Sequence, residues 1–277
     1  MLEWVFADSG IENIWMFLLL GSLSAMLVSV AKAGFGGSVG ILSTPLMVYA
    51  CQGNTKFALA VVLPILIACD QFSIVSWRGK WDRRAVILLI PGLVLGVVIG
   101  SVGLHSIIEH GLQGSHERET ANAILAMFIG MVALVFVALQ IVKSLRKDPL
   151  PFRPVWSQGT AVGTLAGVTS TLAHGAGPIV TMYMLPQGLP KGKFVASTVL
   201  YYWIGNLIKL PPYLLLGMID GRSFAASLML VPAVAVGVAL GIFLHSRVGQ
   251  RQFTGIVYVL LTVAGAHLAV SACGKLL

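Results

Sequence analysis

Long apolar runs alternate with short polar segments along the whole chain. A bilayer crossing needs roughly 20 mostly apolar residues in an α-helix. Eight runs reach or approach that length, and we predict a membrane helix at each: residues 14–31, 57–75, 86–104, 123–142, 159–173, 198–216, 224–244 and 256–270. Two further runs, residues 39–50 and 179–185, are too short to cross, since the longer one would span only about 18 Å as a helix. The pattern predicts an all-α polytopic membrane protein, and the composition agrees: 57% of the residues are hydrophobic and 10% are charged.

A glycine-rich interruption precedes each of the two short runs. The first glycine segment is Lys32-Ala33-Gly34-Phe35-Gly36-Gly37, and the second is His174-Gly175-Ala176-Gly177-Pro178. Irregular backbone at membrane depth persists only where it lines a cavity or lies inside the protein. Paired interruptions are typical of broken or re-entrant helices at a transporter's substrate site, where free N–H groups of the short helices bind an anion. Alternatively, the glycines only let helices approach closely, as expected for Gly92, Gly96 and Gly100 at GxxxG spacing.

The two halves of the chain carry the same residues at a constant separation. Five pairs lie 141 positions apart: Gly34 and Gly175, Gly36 and Gly177, Pro91 and Pro232, Gly96 and Gly237, and Gly100 and Gly241. We therefore predict two repeats of about five helical segments, residues 1–148 and 149–277, within one membrane domain. An odd number of crossings in the first repeat inverts the second one in the membrane. A re-entrant hairpin in each half would lower that number by an even amount, so both versions stay open.

Charges in the loops predict the orientation of the chain. Lys and Arg are retained on the cytoplasmic side of a membrane, and they crowd residues 78–84, 143–153 and 247–251. The N-terminal segment and the loop over residues 105–120 are acidic instead. We expect both outside, together with the C-terminus, in a bilayer of the bacterial cytoplasmic (inner) membrane type. The net charge of +8 is explained by this topology and gives no support to a nucleic-acid partner.

Polar side chains also lie within the apolar runs, where an ionisable group costs about 2.5–3.5 kcal/mol. Lys209 either meets an anionic substrate or extends its ammonium group to the membrane surface. Asp70 either pairs with a lysine or carries a coupling proton. Lys32 and His174 stand beside the two glycine segments as one fixed and one titratable positive charge, and His174 either ties transport to pH or is structural. Hydroxyls such as that of Thr171 either bind an oxyanion or bond back to a helix carbonyl.

These residues make up the predicted site, which holds a small anion and neither a metal nor a cofactor. The predicted substrate-binding residues are Gly34, Gly36, Gly37, Ser38, Thr171, His174, Gly175, Gly177, Asn206 and Lys209, with Lys32 and Asp70 as charge-pairing or coupling residues. Two other functions stay open. A membrane enzyme would use a metal site in the loop around His105, Glu109, His110, His116 and Glu117, although that spacing fits no standard catalytic zinc pattern. A scaffold protein would join partners through the glycine faces at Gly92, Gly96, Gly100, Gly237 and Gly241.

Glycine-rich motifs occur in a particular order along the chain. They run from Lys32-Ala33-Gly34-Phe35-Gly36-Gly37-Ser38-Val39-Gly40 to Thr44-Pro45-Leu46, then Leu172-Ala173-His174-Gly175-Ala176-Gly177-Pro178, then Lys193 to Thr198 with Asn206, Lys209, Tyr213 and Gly217. This order resembles the TauE/SafE-type sulfite exporter family, over residues 14–272. The resemblance implies a permease for sulfite or organosulfonates such as sulfoacetate, driven by a proton or cation gradient or by the anion's own gradient. Ala176 stands where many relatives have glycine, which narrows the pocket, and a homodimer is compatible with this assignment.

Overall fold

The computed structural model describes residues 2–6, 9–37, 43–111, 115–145 and 154–247, together with 262, 266, 267, 269–271, 273 and 274. The helices within the longer ranges are α1 (Leu2–Phe6), α2 (Ile14–Phe35), α3 (Ser43–Ala50), α4 (Thr55–Ser76), α5 (Arg83–Ile87), α6 (Ile90–Gly111), α7 (Ser115–Leu145), α8 (Trp156–Ala173), α9 (Ala176–Met184), α10 (Lys191–Leu215) and α11 (Gly221–Arg247). No strand occurs in the described part of the chain. The prediction of an all-α protein is confirmed.

Helices cover seven of the eight predicted membrane runs. Within the described ranges, four segments are long and apolar enough to span a bilayer: Ile14–Phe35, Thr55–Ser76, Arg83–His110 and Gly221–Arg247. The chain is therefore an integral membrane protein. Most of the predicted run over residues 256–270 lies outside the described residues, as do Ser38 and the basic linker over residues 146–153.

Local signals explain where the helices begin and end. The side chains of Asn13, Asn54 and Asp82 each accept a hydrogen bond from the backbone N–H three residues later, which caps the first turn of α2, α4 and α5. At the other end of α2, Gly36 and Gly37 have φ of +74° and +76°, a conformation that favours glycine. The helix α2 consequently stops inside the protein.

Glycines bring two pairs of helices into backbone contact. A Cβ added to Gly96 on α6 would collide with the carbonyl oxygen of Thr164 on α8, and one on Gly167 would lie 2.9 Å from the Cα of Gly96. On α11, Gly237 meets Met26 and Ser29 of α2 in the same way, with 2.7 Å from its added Cβ to the Met26 carbonyl oxygen. The helix-packing interpretation of the GxxxG glycines is confirmed.

The same contacts remove the surface that a scaffold protein would need. The faces at Gly92, Gly96 and Gly100 are covered by α8, and those at Gly237 and Gly241 are covered by α2. They hold this chain together, so the expectation that they join other membrane proteins is wrong.

The two glycine-packed pairs run in opposite directions. Later residues of α6 contact later residues of α8, and the same holds for α2 and α11, so the two helices of each pair run parallel. The backbone N–H of Asp82, just before α5, donates to Ser197 near the start of α10, and Lys191 at the start of α10 contacts the carbonyl of His245 near the end of α11. The start of α6 and the end of α11 therefore lie at one end of the molecule. That end also carries Arg78, Lys80, Arg83, Arg84, Lys193 and Arg247.

The segment over residues 105–120 is mostly helical and was wrongly predicted as a loop. Helix α6 continues to Gly111, since residues 104–110 contain neither glycine nor proline, and α7 begins at Ser115. His105 and Glu109 lie one turn apart on α6 with Nε2 and Oε1 3.3 Å apart, and their side chains are 52% and 64% exposed. Such an exposed pair contributes at most about 1 kcal/mol. No group of three potential metal ligands occurs among the described residues.

The α6–α8 contact predicts a large difference between two glycines of one helix. Gly96→Ala forces α6 and α8 apart, and we expect it to lower the unfolding free energy by about 1–3 kcal/mol, the usual cost of overpacking. Gly103→Ala adds the same methyl group where nothing lies within 4 Å. We expect it to leave the stability unchanged or slightly higher, since alanine favours a helix. Thermal unfolding of both variants in detergent tests this, and equal Tm values would contradict it.

Candidate functional site

A small cavity lies between the two glycine segments. Its volume is about 30 Å³, and it is lined by Val28, Lys32, Gly37, Leu66, Ser170, His174, Ala176, Gly177, Tyr202 and Asn206. A single water requires about 10–15 Å³ of such space. The cavity is thus large enough for about two waters.

Helical spacing explains how α2, α4 and α10 present polar groups at this point. Residues three or four positions apart lie on one face of a helix. Lys32 follows Val28 by four positions on α2, and Asn206 follows Tyr202 by four positions on α10. On α4, Asp70 follows Leu66 by the same interval. The three faces converge beside the cavity.

The carboxylate of Asp70 contacts both Lys32 and Asn206. Its carboxylate forms an ion pair with Lys32, and Asn206 Nδ2 donates to its Oδ2 at 2.6 Å. Asp70 is 0% exposed and Lys32 is 4% exposed. The ammonium group of Lys32 also lies 5.2 Å from the centre of the Tyr202 ring, within range of a cation–π contact. The pair therefore joins α2, α4 and α10 inside the membrane protein.

Lys209 is completely buried, and its hydrogen-bond partners among the described residues carry no charge. Its ammonium group donates to the carbonyl of Ser170 at 3.2 Å and meets Nδ1 of His174 at 3.1 Å. The imidazole Nε2 lies 3.1 Å from the carbonyl of Leu59. A carbonyl only accepts and an ammonium only donates, so Nε2 carries the proton and Nδ1 is the acceptor.

Two expectations about these residues are corrected by this geometry. His174 is neutral here, because a proton on Nδ1 would point directly at the ammonium of Lys209; it does not supply positive charge. Lys209 is 0% exposed, so it does not extend to the membrane surface. Both side chains instead form one hydrogen-bonded unit beside the cavity.

The buried charges at the site do not balance. With all three side chains ionised, Lys32 and Lys209 supply two positive charges and Asp70 supplies one negative charge, which leaves one positive charge. Among the described residues, Lys209 is bonded to Ser170 and His174, and no carboxylate there pairs with it. Burying an uncompensated ion costs several kcal/mol. These three side chains alone therefore leave one buried positive charge without a balancing carboxylate.

Tyr202 was not among the residues predicted from the sequence. Its hydroxyl donates to the carbonyls of Gly36 and Gly177, with both oxygen–oxygen distances 3.3 Å. A signal was present, since Tyr202 lies one turn before Asn206 on the face of α10 that also carries Lys209. Ser170 and the apolar lining residues Val28 and Leu66 were likewise not among the predicted substrate-binding residues, whereas Ala176, which was expected to narrow the pocket, does line the cavity.

Some residues of the glycine segments line the cavity, and others pack against neighbouring helices. Gly37 and Gly177 line the cavity. Gly34 does not, because its open side faces the backbone of Gly241 on α11. Gly36 packs against Phe194 and approaches the site only through its carbonyl. The N–H of Gly175 bonds to the carbonyl of Thr169 and ends α8.

Thr171 lies away from the cavity and has a structural role. Its hydroxyl donates to the carbonyl of Gly167 at 2.9 Å, one turn earlier on α8. Its own carbonyl accepts from the Tyr213 hydroxyl at 2.7 Å. A bond from the hydroxyl back to the helix leaves it no free proton for an oxyanion.

Comparison with known proteins adds an independent line of evidence. The family model described as sulfite exporter TauE/SafE matches residues 21–268, which is nearly the whole chain. No curated protein and no solved structure matches the chain. The extent of the family match and the apolar helices lead to one conclusion: this chain belongs to the sulfite exporter TauE/SafE family of membrane transporters.

Proposed function

We propose that this chain is a secondary transporter that carries sulfite or an organosulfonate such as sulfoacetate across the cytoplasmic membrane. The anion is held between the glycine segments, and no chemical change is made to it. The observation that carries this proposal is the buried ammonium group of Lys209, which has no carboxylate partner among the described residues and lies beside the cavity. A sulfur oxyanion would balance that charge.

The start of α9 supports an anion at the same place. The first N–H groups of a helix have no partners within it, and they form the positive end of the helix dipole. Helix α9 begins at Ala176, and both Ala176 and Gly177 line the cavity. These backbone donors suit oxygen atoms of any oxyanion, so the sulfur chemistry rests on the family match.

We further propose an inverted repeat as the basis of alternating access. The opposite directions of the α2–α11 and α6–α8 pairs support this arrangement. Residues 1–148 and 149–277 would be the two repeats, with both termini outside. The cavity is small here, and rocking of one repeat against the other would enlarge it and open it to either side. A coupling proton or cation and a homodimer stay predictions of this proposal.

Flux into proteoliposomes is the direct test of the proposed function. Purified protein is reconstituted, and uptake of sulfite, sulfoacetate, taurine, sulfate and acetate is measured with and without an imposed pH gradient. We expect saturable flux of sulfite or a sulfonate that exceeds flux of acetate. Equal rates in protein-free liposomes for all five solutes would contradict the proposal. A change in rate with the gradient would identify the proton as the coupling ion.

Gly37 provides a test with a matched control. A Cβ on Gly37 would lie 2.6 Å from the Tyr202 ring, so Gly37→Leu fills the cavity, and we expect at least about a tenfold loss of flux. Gly53 has a similar backbone conformation, with φ of +89°, but nothing lies within 4 Å of it. Gly53→Leu carries the same backbone strain and should retain most of the flux. The comparison is made at equal amounts of reconstituted protein, and similar losses in both variants would contradict the site.

A further inference from the structure

The phenol of Tyr202 lies at the point where the two glycine segments meet. Its single hydroxyl proton is shared between the carbonyls of Gly36 and Gly177. These glycines belong to different halves of the chain, 141 positions apart. One side chain of α10 therefore connects both halves across the cavity.

Both of these hydrogen bonds are long. Each oxygen–oxygen distance is 3.3 Å, whereas O–H···O bonds in proteins usually measure about 2.5–3.0 Å. A hydroxyl donates to a charged oxygen at about 2.5–2.7 Å, and such a bond is roughly twice as strong as a neutral one. An oxyanion in the cavity would consequently compete well for the Tyr202 proton.

The ring of Tyr202 is held in place while its hydroxyl proton is free to turn. Lys32 lies 5.2 Å from the ring centre on one side. The Tyr201 ring stands edge-on to it with centres 5.6 Å apart, and Gly37 leaves no room for a Cβ beside it. The hydroxyl can change its acceptor by rotation of one C–O bond, so no backbone movement is required.

We propose that Tyr202 is a positioning residue that ties the two glycine segments together in the empty site and gives its hydrogen bond to the substrate oxyanion on binding. The inference rests on the proposed function. Transfer of that bond both holds the anion and releases Gly36 from Gly177. Substrate binding thereby favours the opened arrangement, since the anion interacts differently with the tied and untied states.

Tyr202→Phe removes the hydroxyl and keeps the ring, and Tyr201→Phe is its matched control. Tyr201 is also buried on the same helix, and its hydroxyl has no hydrogen-bond partner among the described residues. For Tyr202→Phe we expect the KM for sulfite to rise about tenfold or more, with Vmax unchanged or higher. For Tyr201→Phe we expect both constants within about twofold of the wild type. A purely structural role would lower Vmax and the yield of folded protein and leave KM unchanged.

A binding measurement separates the possible failures. Sulfite should raise the Tm of the wild type and of Tyr201→Phe more than that of Tyr202→Phe. If the wild type carries no anion, the proposed function fails and this inference fails with it. If the wild type transports sulfite and Tyr202→Phe keeps its KM within about twofold, only the role of Tyr202 is overturned. Flux in native membrane vesicles gives the same KM comparison for a variant that does not survive purification.

Discussion

Lys209→Met is expected to abolish saturable sulfite flux without lowering the stability of the protein. Methionine keeps the length and volume of the side chain and removes the charge that the anion would balance. Truncating one partner of a buried charge pair costs about 3–5 kcal/mol, which corresponds to at least about a hundredfold loss of Vmax/KM. The Tm should stay equal or rise, because an uncompensated buried cation is removed, although His174 and Ser170 lose a donor.

This prediction is specific because flux should fall while the Tm stays equal or rises. Lys193→Met is the control, since Lys193 lies exposed on the same helix. It should leave both flux and Tm near the wild-type values. Flux and unfolding are measured on the same preparations. Retained sulfite flux in Lys209→Met would remove the central argument for the anion site, and a large fall in Tm would indicate that Lys209 is structural.

Asp70→Asn is expected to be among the most destabilising conservative substitutions in this chain. Asparagine has nearly the same shape as aspartate, so the change isolates the charge. It leaves Lys32 and Lys209 buried with no carboxylate partner in the described part of the chain. Removing one partner of a buried ion pair costs about 3–5 kcal/mol. Glu109→Gln, which breaks an exposed pair with His105, should cost less than about 1 kcal/mol.

A double variant tests whether the loss comes from the unpaired lysine. Lys32→Met combined with Asp70→Asn removes both charges, and we expect it to recover most of the stability that Asp70→Asn loses. Denaturation in detergent of the wild type, Lys32→Met, Asp70→Asn and the double variant gives the coupling energy of the Lys32–Asp70 pair. Additive losses would mean that Lys32 and Asp70 do not stabilise each other. The double variant is also expected to lose flux, because Lys32 lines the cavity.

The apolar runs were enough to predict the helices and the membrane class. A crossing helix must be long and apolar whatever it packs against, so this property is local to each run. The polar residues of the site were also visible, because Lys32, Asp70, Asn206 and Lys209 interrupt apolar helices at a cost that a sequence retains only for a reason. The match to the TauE/SafE family model confirmed the resemblance drawn from the order of the glycine-rich motifs.

The sequence by itself determined that the long apolar runs are helical, that the chain is a membrane protein and which polar groups are costly within those runs. Only the tertiary structure decided how those groups are paired. Asp70 and Asn206 are 136 positions apart, and helical periodicity indicates the buried face of each helix without identifying the helix that faces it. The same limit applies to glycine, because a small residue beside a cavity and one beside another helix look identical in sequence. Only contacts between distant helices show that Gly34 packs against α11 and that His174 accepts a hydrogen bond from Lys209. They also show that Tyr202 contacts both glycine segments.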